Sequence, residues 1–176
     1  ANVSGPRRVQ AGACRDSLIG VRFVDGAGTV LKNGGRVMKN VTGYDLVKLM
    51  AGAYGTLGVL SEVSFKLLPA TDTCATVQIF GQTTGQAVAS MSTALGSPFE
   101  VSGAAYSPCG LNGTPITALR VEGFEASVKY RAQQLKDLLD DGSDIQIETD
   151  PDKVEAGWKM VRDCRTLQEP AGDVWR

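Results

Sequence analysis

Three glycines follow one another at equal spacing in the sequence, at Gly52, Gly55 and Gly58. Glycine has no Cβ, so a phosphate or a flat ring can approach its backbone closely. The apolar pattern places these glycines after a helix and before a strand, whereas the dinucleotide fingerprint G-x-G-x-x-G leads from a strand into a helix N-terminus that binds pyrophosphate. The residues alone leave two interpretations open: a backbone that lines a ligand, or a helix stop followed by a strand start.

A second glycine-bearing stretch, Ser4–Asp16, carries the three arginines Arg7, Arg8 and Arg15. Arginine is suited to binding phosphate or carboxylate, although an exposed basic loop has the same composition. The chain has no histidine to serve as a base for its serines and cysteines, and it contains no G-K-[ST] phosphate loop. The acidic residues within 140–144 follow a predicted helix and are interpreted as a solvated turn.

The composition is that of a folded globular protein, because 43% of the residues are hydrophobic and 21% are charged. No apolar run approaches the ~18 residues of a membrane span. The four cysteines form no C-x-x-C pair, so we expect free thiols in the reducing cytoplasm and no metal site, with disulfide-bonded secretion as the minor alternative. Residues 1–69 carry nine basic against four acidic side chains, and residues 70–176 carry nine against fifteen, which predicts two units with different surroundings. The chain opens ANVSGPRR, without an initiator Met or a signal peptide, so we expect an internal fragment of a longer protein.

Hydrophobic periodicity predicts the order strand, strand, helix, turn, strand in the first 69 residues. Residues 18–32 are predicted to form a hairpin that turns at DGAG. A short helix follows, with Thr42 as its cap, and we expect Gly52 to end it in the left-handed conformation. The next strand is predicted to carry five alternating residues on one face: Val59, Ser61, Val63, Phe65 and Leu67.

The remaining residues predict a more regular pattern. Strands are predicted at residues 74–80, 99–107, 116–124 and 145–149, helices at residues 83–95 and 125–141, and a further helix from Pro151. The order β-α-β-β-α-β from residue 74 to residue 149 is that of the ferredoxin-like fold, with a four-stranded antiparallel sheet and two helices on one face. The two tryptophans, Trp158 and Trp175, are expected in a core or an interface. For the charged strand residues Glu100, Arg120 and Glu122 we expect exposure, which is commoner on an open sheet face, with buried or interface ion pairs as the alternative.

The stretch VTGYDLVKLMAGAYGTLGVLSEVSFKLLP, residues 41–69, resembles the end of the FAD-binding domain of the vanillyl-alcohol-oxidase or PCMH type. That family has a helix, then G-T-L-G-V/I-x-[ST]-E, then a strand of alternating apolar residues. The preceding residues, together with PFEVSGAAYSP, ALRVEGFEASVKYRAQQL and the terminal DVWR, resemble the branch of the family formed by the FAD-binding E subunits of bacterial glycolate oxidase (glycolate dehydrogenase). The resemblance covers essentially all 176 residues.

The resemblance implies an α+β fold in two parts. Residues 1–69 would be the C-terminal part of a PCMH-type FAD-binding domain, and residues 70–176 a ferredoxin-like cap domain truncated at its C-terminus. Relatives often carry Glu where this chain has Tyr54, so no side-chain role is carried over there, and the catalytic residues stay unassigned. The backbone segments implied to contact FAD are formed by Ala1, Asn2, Val3, Ser4, Gly5, Gly55, Thr56, Leu57, Gly58, Val59 and Leu60.

The resemblance also implies a function. The full-length protein would be the FAD-dependent subunit that oxidises glycolate, a 2-hydroxy acid, to glyoxylate and passes the electrons onward. Its implied partners are a homologous FAD-binding D subunit and an iron–sulfur subunit, in the cytoplasm or at the inner face of the membrane through that complex. Because the family's main pyrophosphate loop lies upstream of residue 1, we expect the fragment itself to hold no stable FAD, to be inactive and to self-associate through uncovered apolar surface.

Two other functions remain open at this stage. The absence of histidine favours a non-catalytic structural subunit of the same multi-subunit complex. A ferredoxin-like binding module would account only for residues 70–150 and ranks below both.

Overall fold

A computed structural model describes residues 2–37, 39, 43–110 and 113–165 of the chain. The chain divides into two compact units, Ala1–Pro69 and Ala70–Arg176. Among the described residues, no helix combines the length and the apolar character needed to cross a membrane.

The first unit is a three-stranded antiparallel sheet with strand order β2-β1-β3 and three short helices. Its core joins β1 to α3 through the buried residues Leu18, Val21, Phe23, Val47, Met50 and Ala51. The elements are α1 (Arg8–Ala11), α2 (Cys14–Ser17), β1 (Leu18–Val24), β2 (Val30–Gly34), α3 (Leu46–Met50) and β3 (Val59–Phe65).

The predicted hairpin is confirmed, since β1 pairs antiparallel with β2. Its turn is closed by Asp25, whose Oδ1 accepts hydrogen bonds from the amides of Ala27 at 2.9 Å and Thr29 at 2.8 Å. Gly28 supplies the positive φ that this reversal requires, at +81°.

The N-cap of helix α3 lies about one turn further along the chain than the predicted cap, Thr42. Thr42 lies outside the described residues, and the N-cap is Asp45, whose side chain accepts a hydrogen bond from the Lys48 amide at 3.0 Å. Asn33 on β2 reinforces this start, because its Oδ1 accepts from the Leu46 amide at 3.1 Å. Gly52 has a φ of +94°, so the predicted left-handed residue after the helix is confirmed.

The prediction that β3 places its alternating apolar residues on one face is wrong. The register pairs Val63 with Val21 but Val59 with Val24, with a shift between Arg22 and Phe23. An extra residue on one strand of such a pair reverses the faces beyond it, so Val59 and Val63 lie on opposite faces. The strand also ends at Phe65, before Leu67, and all these apolar residues are exposed.

The second unit is a four-stranded antiparallel sheet with strand order β5-β6-β4-β7. This order, together with the predicted β-α-β-β-α-β sequence of elements, is the ferredoxin-like arrangement. Strand β5 is shorter than predicted, because Glu100 adopts a φ of +49° that interrupts an extended backbone. The elements are β4 (Thr73–Phe80), α4 (Thr84–Gly96), β5 (Gly103–Ser107), β6 (Ile116–Gly123), α5 (Glu125–Leu138), β7 (Asp144–Glu148) and α6 (Pro151–Asp163).

The core of the second unit lies between one sheet face and the helices α4 and α5. Its centre is formed by fully buried residues of β4 and β6 packed with residues of both helices: Ala75, Val77, Ile79, Leu119, Val121, Ala94, Val128, Ala132 and Leu135. These strand residues alternate with polar ones, as expected for a sheet with one buried apolar face.

Helix α6 covers part of the opposite sheet face, which the sequence pattern does not predict. Trp158 is 6% exposed, and its Nε1 donates a hydrogen bond to Thr76 Oγ1 at 2.9 Å. Trp175 lies outside the described residues. The Trp158 ring stacks on Arg120, whose Cζ lies 4.5 Å from the ring centroid.

The expected exposure of the charged strand residues is therefore wrong for two of the three. Arg120 Nε lies 3.3 Å from Glu122 Oε2, and these side chains are 8% and 11% exposed. The ion pair is buried because α6 lies over this part of the sheet. Glu100 remains exposed and approaches Arg131 Nη1 at 3.4 Å.

Candidate functional site

The first predicted cofactor segment, Asn2–Gly5, has no regular secondary structure and is hydrogen-bonded to α2. The carbonyl of Val3 accepts a hydrogen bond from the Cys14 amide at 2.8 Å, and Asn2 Oδ1 accepts from the Arg15 amide at 2.8 Å. Val3 is 67% exposed, so the segment stays accessible along its outer side. Ala1, the remaining member of this predicted segment, lies outside the described residues.

The second predicted segment, Gly55–Leu60, begins within the glycine turn, defined here as residues 51–58 between α3 and β3. Gly52, Gly55 and Gly58 all have positive φ, at +94°, +79° and +154°, and so does Tyr54 at +52°. Thr56 closes the turn, because its amide donates to the Ala53 carbonyl at 3.0 Å. The turn therefore has one defined conformation that an all-L sequence without glycine would adopt only with strain.

The glycines of the turn serve different purposes. A Cβ at Gly58 would lie 2.5 Å from the Val24 carbonyl oxygen, so glycine is required there for the close contact with β1. A Cβ at Gly55 would meet no atom within 4 Å. Within the described residues, the Gly55 and Leu57 amides donate no hydrogen bond to a protein group. Gly55 is therefore open to a ligand, whereas Gly58 is a packing residue.

Arg15 brings the two predicted segments together. Its Nη2 donates a hydrogen bond to the Ala51 carbonyl at 2.8 Å, at the start of the glycine turn, while its amide binds the Asn2 side chain. A Cβ at Gly52 would lie 3.4 Å from Asn2 Cβ and 3.5 Å from Arg15 Nη2, which is van der Waals contact. The structure thus places the N-terminal segment directly beside the glycine turn, although they are some fifty residues apart in sequence.

The other predicted positions at the turn lie along its exit. Thr56, Leu57, Val59 and Leu60 are exposed, and the last two begin β3. Of the other basic residues in Ser4–Asp16, Arg8 turns back to donate from Nη1 to Ser4 Oγ at 3.0 Å. Sequence reasoning noted Arg15 only as one charge in a basic stretch. Its position before Asp16, ahead of the predicted hairpin, carried no signal of a contact with residue 51.

In the acidic turn at residues 140–144, two carboxylates form hydrogen bonds to backbone amides of the turn itself. Asp140 and Asp141 accept hydrogen bonds from the amides of Gly142 and Ser143, at 3.2 Å and 3.0 Å. The hydrogen bonds from Ser143 lower the pKa of Asp141, with a smaller contribution from Gln82. The solvated turn predicted from sequence is confirmed.

The four cysteines are free thiols, as predicted, with Cys14 and Cys74 half-buried and Cys109 and Cys164 exposed. In the described ranges, no group of three or more Cys, Asp or Glu side chains is arranged to hold a metal ion. A cleft of about 330 Å³ also lies on the first unit, lined in part by Lys32, Arg36 and Glu62. It includes neither predicted cofactor segment.

Comparison with solved structures identifies the fold. A crystal structure of alkyldihydroxyacetonephosphate synthase superposes with a TM-score of 0.67, covering 94% of this chain and 37% of that one at 15% sequence identity. Identity this low shows the fold alone. The α+β class predicted from sequence, part of a PCMH-type FAD-binding domain followed by a ferredoxin-like unit, is confirmed. No protein-family model matches the chain.

Curated relatives match the chain at higher sequence identity than the solved structures do. The chain is 57% identical over 67 residues to glycolate oxidase subunit GlcE of Escherichia coli strain K12, covering 38% of this chain and 19% of the relative. It is 40% identical over 72 residues to glycolate oxidase subunit GlcD of Bacillus subtilis strain 168, covering 41% and 15%. It is 30% identical over 191 aligned positions to D-lactate dehydrogenase of Anaerostipes hadrus, covering 99% and 38%.

These similarities support a chain that corresponds to part of a FAD-linked oxidoreductase of the kind that includes the glycolate oxidase subunits. It spans less than a fifth of the two glycolate oxidase subunits and 38% of the D-lactate dehydrogenase.

Proposed function

We propose that the protein carrying this chain is the FAD-binding subunit of an enzyme that oxidises glycolate to glyoxylate and passes the electrons onward. The observation that carries the proposal is the contact between Asn2 and the glycine turn through Arg15. It sets two backbone segments side by side, with open amides on the turn. The identity to a glycolate oxidase E subunit supports glycolate over other 2-hydroxy acids.

The residues present fit FAD, because the space beside the Gly55 backbone is open. Any other residue at position 55 would project a Cβ into that space. The backbone of Asn2–Gly5 and of Gly55–Leu60 would hold the cofactor, with amide donors directed at its oxygen and nitrogen atoms. When bound, FAD would supply the acceptor for the two electrons removed from the hydroxy acid. The chain's own contribution is to bind and orient, which a backbone held in one conformation does with little loss of entropy on binding.

The second unit is proposed to be the cap domain of the same enzyme. Its ferredoxin-like sheet resembles the cap implied by the family, and its boundary at Ala70 follows the end of the FAD-binding part. For the 176-residue chain by itself we propose no stable FAD, because contacts from further residues of the full-length protein are needed.

The proposed assembly contains a homologous FAD-binding D subunit and an iron–sulfur subunit. Support for the first comes from relatives that are themselves named as subunits of glycolate oxidase. The proposed location is the cytoplasm or the inner face of the membrane, which four free thiols support.

The test is made on the full-length protein purified alone and then with its partner subunits. We expect bound FAD with visible flavin absorbance, and bleaching of that absorbance when glycolate is added to the assembled complex. A protein that takes up no FAD would refute the proposal. Flavin that glycolate never bleaches, in a complex that still requires this subunit, would instead assign it a structural role.

A matched pair of variants ties the result to the site. Gly55→Ala and Gly28→Ala both add one methyl group at a positive φ, +79° and +81°, with no atom within 4 Å. Their strain is therefore the same. Only the methyl group at residue 55 lies on the proposed FAD contact, so Gly55→Ala should weaken FAD binding at least about tenfold while Gly28→Ala leaves it unchanged.

A further inference from the structure

One arginine supplies the contact between the two proposed FAD-binding segments. The Arg15 amide donates to Asn2 Oδ1 and its Nη2 donates to the Ala51 carbonyl, both at 2.8 Å. Asn2 begins the first segment that the proposed function places on FAD, and Ala51 begins the glycine turn that leads into the second segment at Gly55.

The backbone of Arg15 is itself fixed from the other side. Lys48 Nζ donates to the Arg15 carbonyl and, at 3.0 Å, to the Leu18 carbonyl. The Asp16 carboxylate accepts a hydrogen bond from the Ala13 amide at 2.7 Å, which closes the turn that leads into α2. The guanidinium therefore projects from a backbone that is held on both sides of residue 15.

The charge of Arg15 is not used in an ion pair within the described residues. The Arg15 side chain is also not part of the hydrophobic core, since the residue is exposed. Its hydrogen bond to the Ala51 carbonyl is part-buried, and a single bond of this kind makes only a modest net contribution to folding. What the bond does restrict is the position of the glycine turn relative to Asn2.

We propose that Arg15 is a positioning residue for FAD, which holds the Asn2–Gly5 backbone against the glycine turn so that both segments meet the cofactor without rearrangement. The inference rests on the proposed function. Arg15 acts through the two segments. The backbone of those segments contacts FAD, and the Arg15 side chain does not. Removing the guanidinium releases the glycine turn, while the Arg15 amide still holds Asn2. FAD binding must then restore the position of the turn at the cost of backbone entropy.

The test compares Arg15→Met with Arg22→Met in the full-length protein. Both remove a guanidinium and keep an unbranched stem, and Arg22 is an exposed residue of β1 paired with Glu62 at 3.6 Å. Arg15→Met should raise the dissociation constant for FAD about tenfold or more, whereas Arg22→Met should leave it within twofold. The melting temperatures of the two FAD-free variants should agree.

Two further measurements separate positioning from a general loss of structure. Arg15→Lys retains a donor for the Ala51 carbonyl and should recover part of the FAD affinity. Hydrogen exchange on the FAD-free protein should show faster exchange at the hydrogen-bonded amides of the glycine turn, Ala53 and Thr56, for Arg15→Met alone.

Each outcome decides the inference. Equal FAD affinity in Arg15→Met and Arg22→Met would overturn it, as would a loss of affinity matched by a lower melting temperature of FAD-free Arg15→Met and not relieved by lysine. In both cases the wild-type protein binds FAD and the proposed function stands. A wild-type protein that binds no FAD removes the proposed function and this inference together.

Discussion

Gly58 is the position where the packing of the glycine turn can be measured, through the variant Gly58→Ala. The added Cβ would lie 2.5 Å from the Val24 carbonyl oxygen and 3.1 Å from Phe23 Cδ2. Phe23 belongs to the buried core of the first unit, and Val24 pairs with Val59 in the sheet. The variant therefore must move β1, β3 or both.

The expected cost has two parts. A non-glycine residue in a conformation with positive φ costs about 1–2 kcal/mol. Overpacking against a fixed backbone oxygen and a buried ring adds about 1–3 kcal/mol. Gly28→Ala carries only the first part, because its Cβ meets no atom within 4 Å. Gly58 has a φ of +154° and Gly28 a φ of +81°, so the difference between the two variants contains the packing part together with any additional backbone strain at Gly58. It should be about 1–3 kcal/mol.

Hydrogen exchange at the β1 amides is the appropriate assay, because it reports the opening of the first unit separately from the second. In the full-length protein, Gly58→Ala should raise the opening constant of β1 about five- to 150-fold over that of Gly28→Ala. Equal opening constants for the two variants would refute the reasoning, since the contact between Gly58 and β1 would then yield at no cost.

Three further predictions concern single side chains. The pKa of Asp141 is lowered chiefly by hydrogen bonds from Ser143, so its stabilisation is present above the unfolded pKa near 3.8 and is lost as the pH falls through the folded pKa. Asp141→Asn should accordingly lower the urea midpoint at pH 7 and differ less from wild type at pH 3, and a gap that stays constant would contradict this. Trp158→Phe should cost the second unit about 1–2 kcal/mol by circular dichroism, because Thr76 Oγ1 loses its donor, and adding Thr76→Val should recover part of that loss. Tyr54→Gly should stabilise the first unit by about 1 kcal/mol in thermal unfolding, because Tyr54 is 81% exposed at a φ of +52°; no gain would mean that the ring contributes contacts of its own.

Local sequence was enough to predict most of the elements. The hairpin over residues 18–32 follows from two short apolar runs around a DGAG turn, and its pairing needs no distant residue. The β-α-β-β-α-β order of the second unit likewise follows from periods of 2.0 and 3.6 residues. Both are properties of neighbouring residues, so they can be read from spacing alone.

Such patterns do not predict the register between two strands or which side chains a packed helix buries. The shift between Arg22 and Phe23 depends on how β1 and β3 meet, and it moves Val59 to the face opposite Val63. Arg120 has an unremarkable place in a strand, and only the docking of α6 buries it with Glu122 beneath Trp158.

The sequence by itself determined the fold class, the family resemblance and the two backbone segments proposed to bind FAD, because glycine spacing and periodic apolar residues are local signals. Only the tertiary structure decided that Arg15 joins the first segment to the glycine turn that precedes the second, with its amide on Asn2 and its side chain on Ala51. The physical reason is that a hydrogen bond between residues 36 positions apart depends on the path of the intervening hairpin and helix. No spacing within the basic stretch at Ser4–Asp16 records that path.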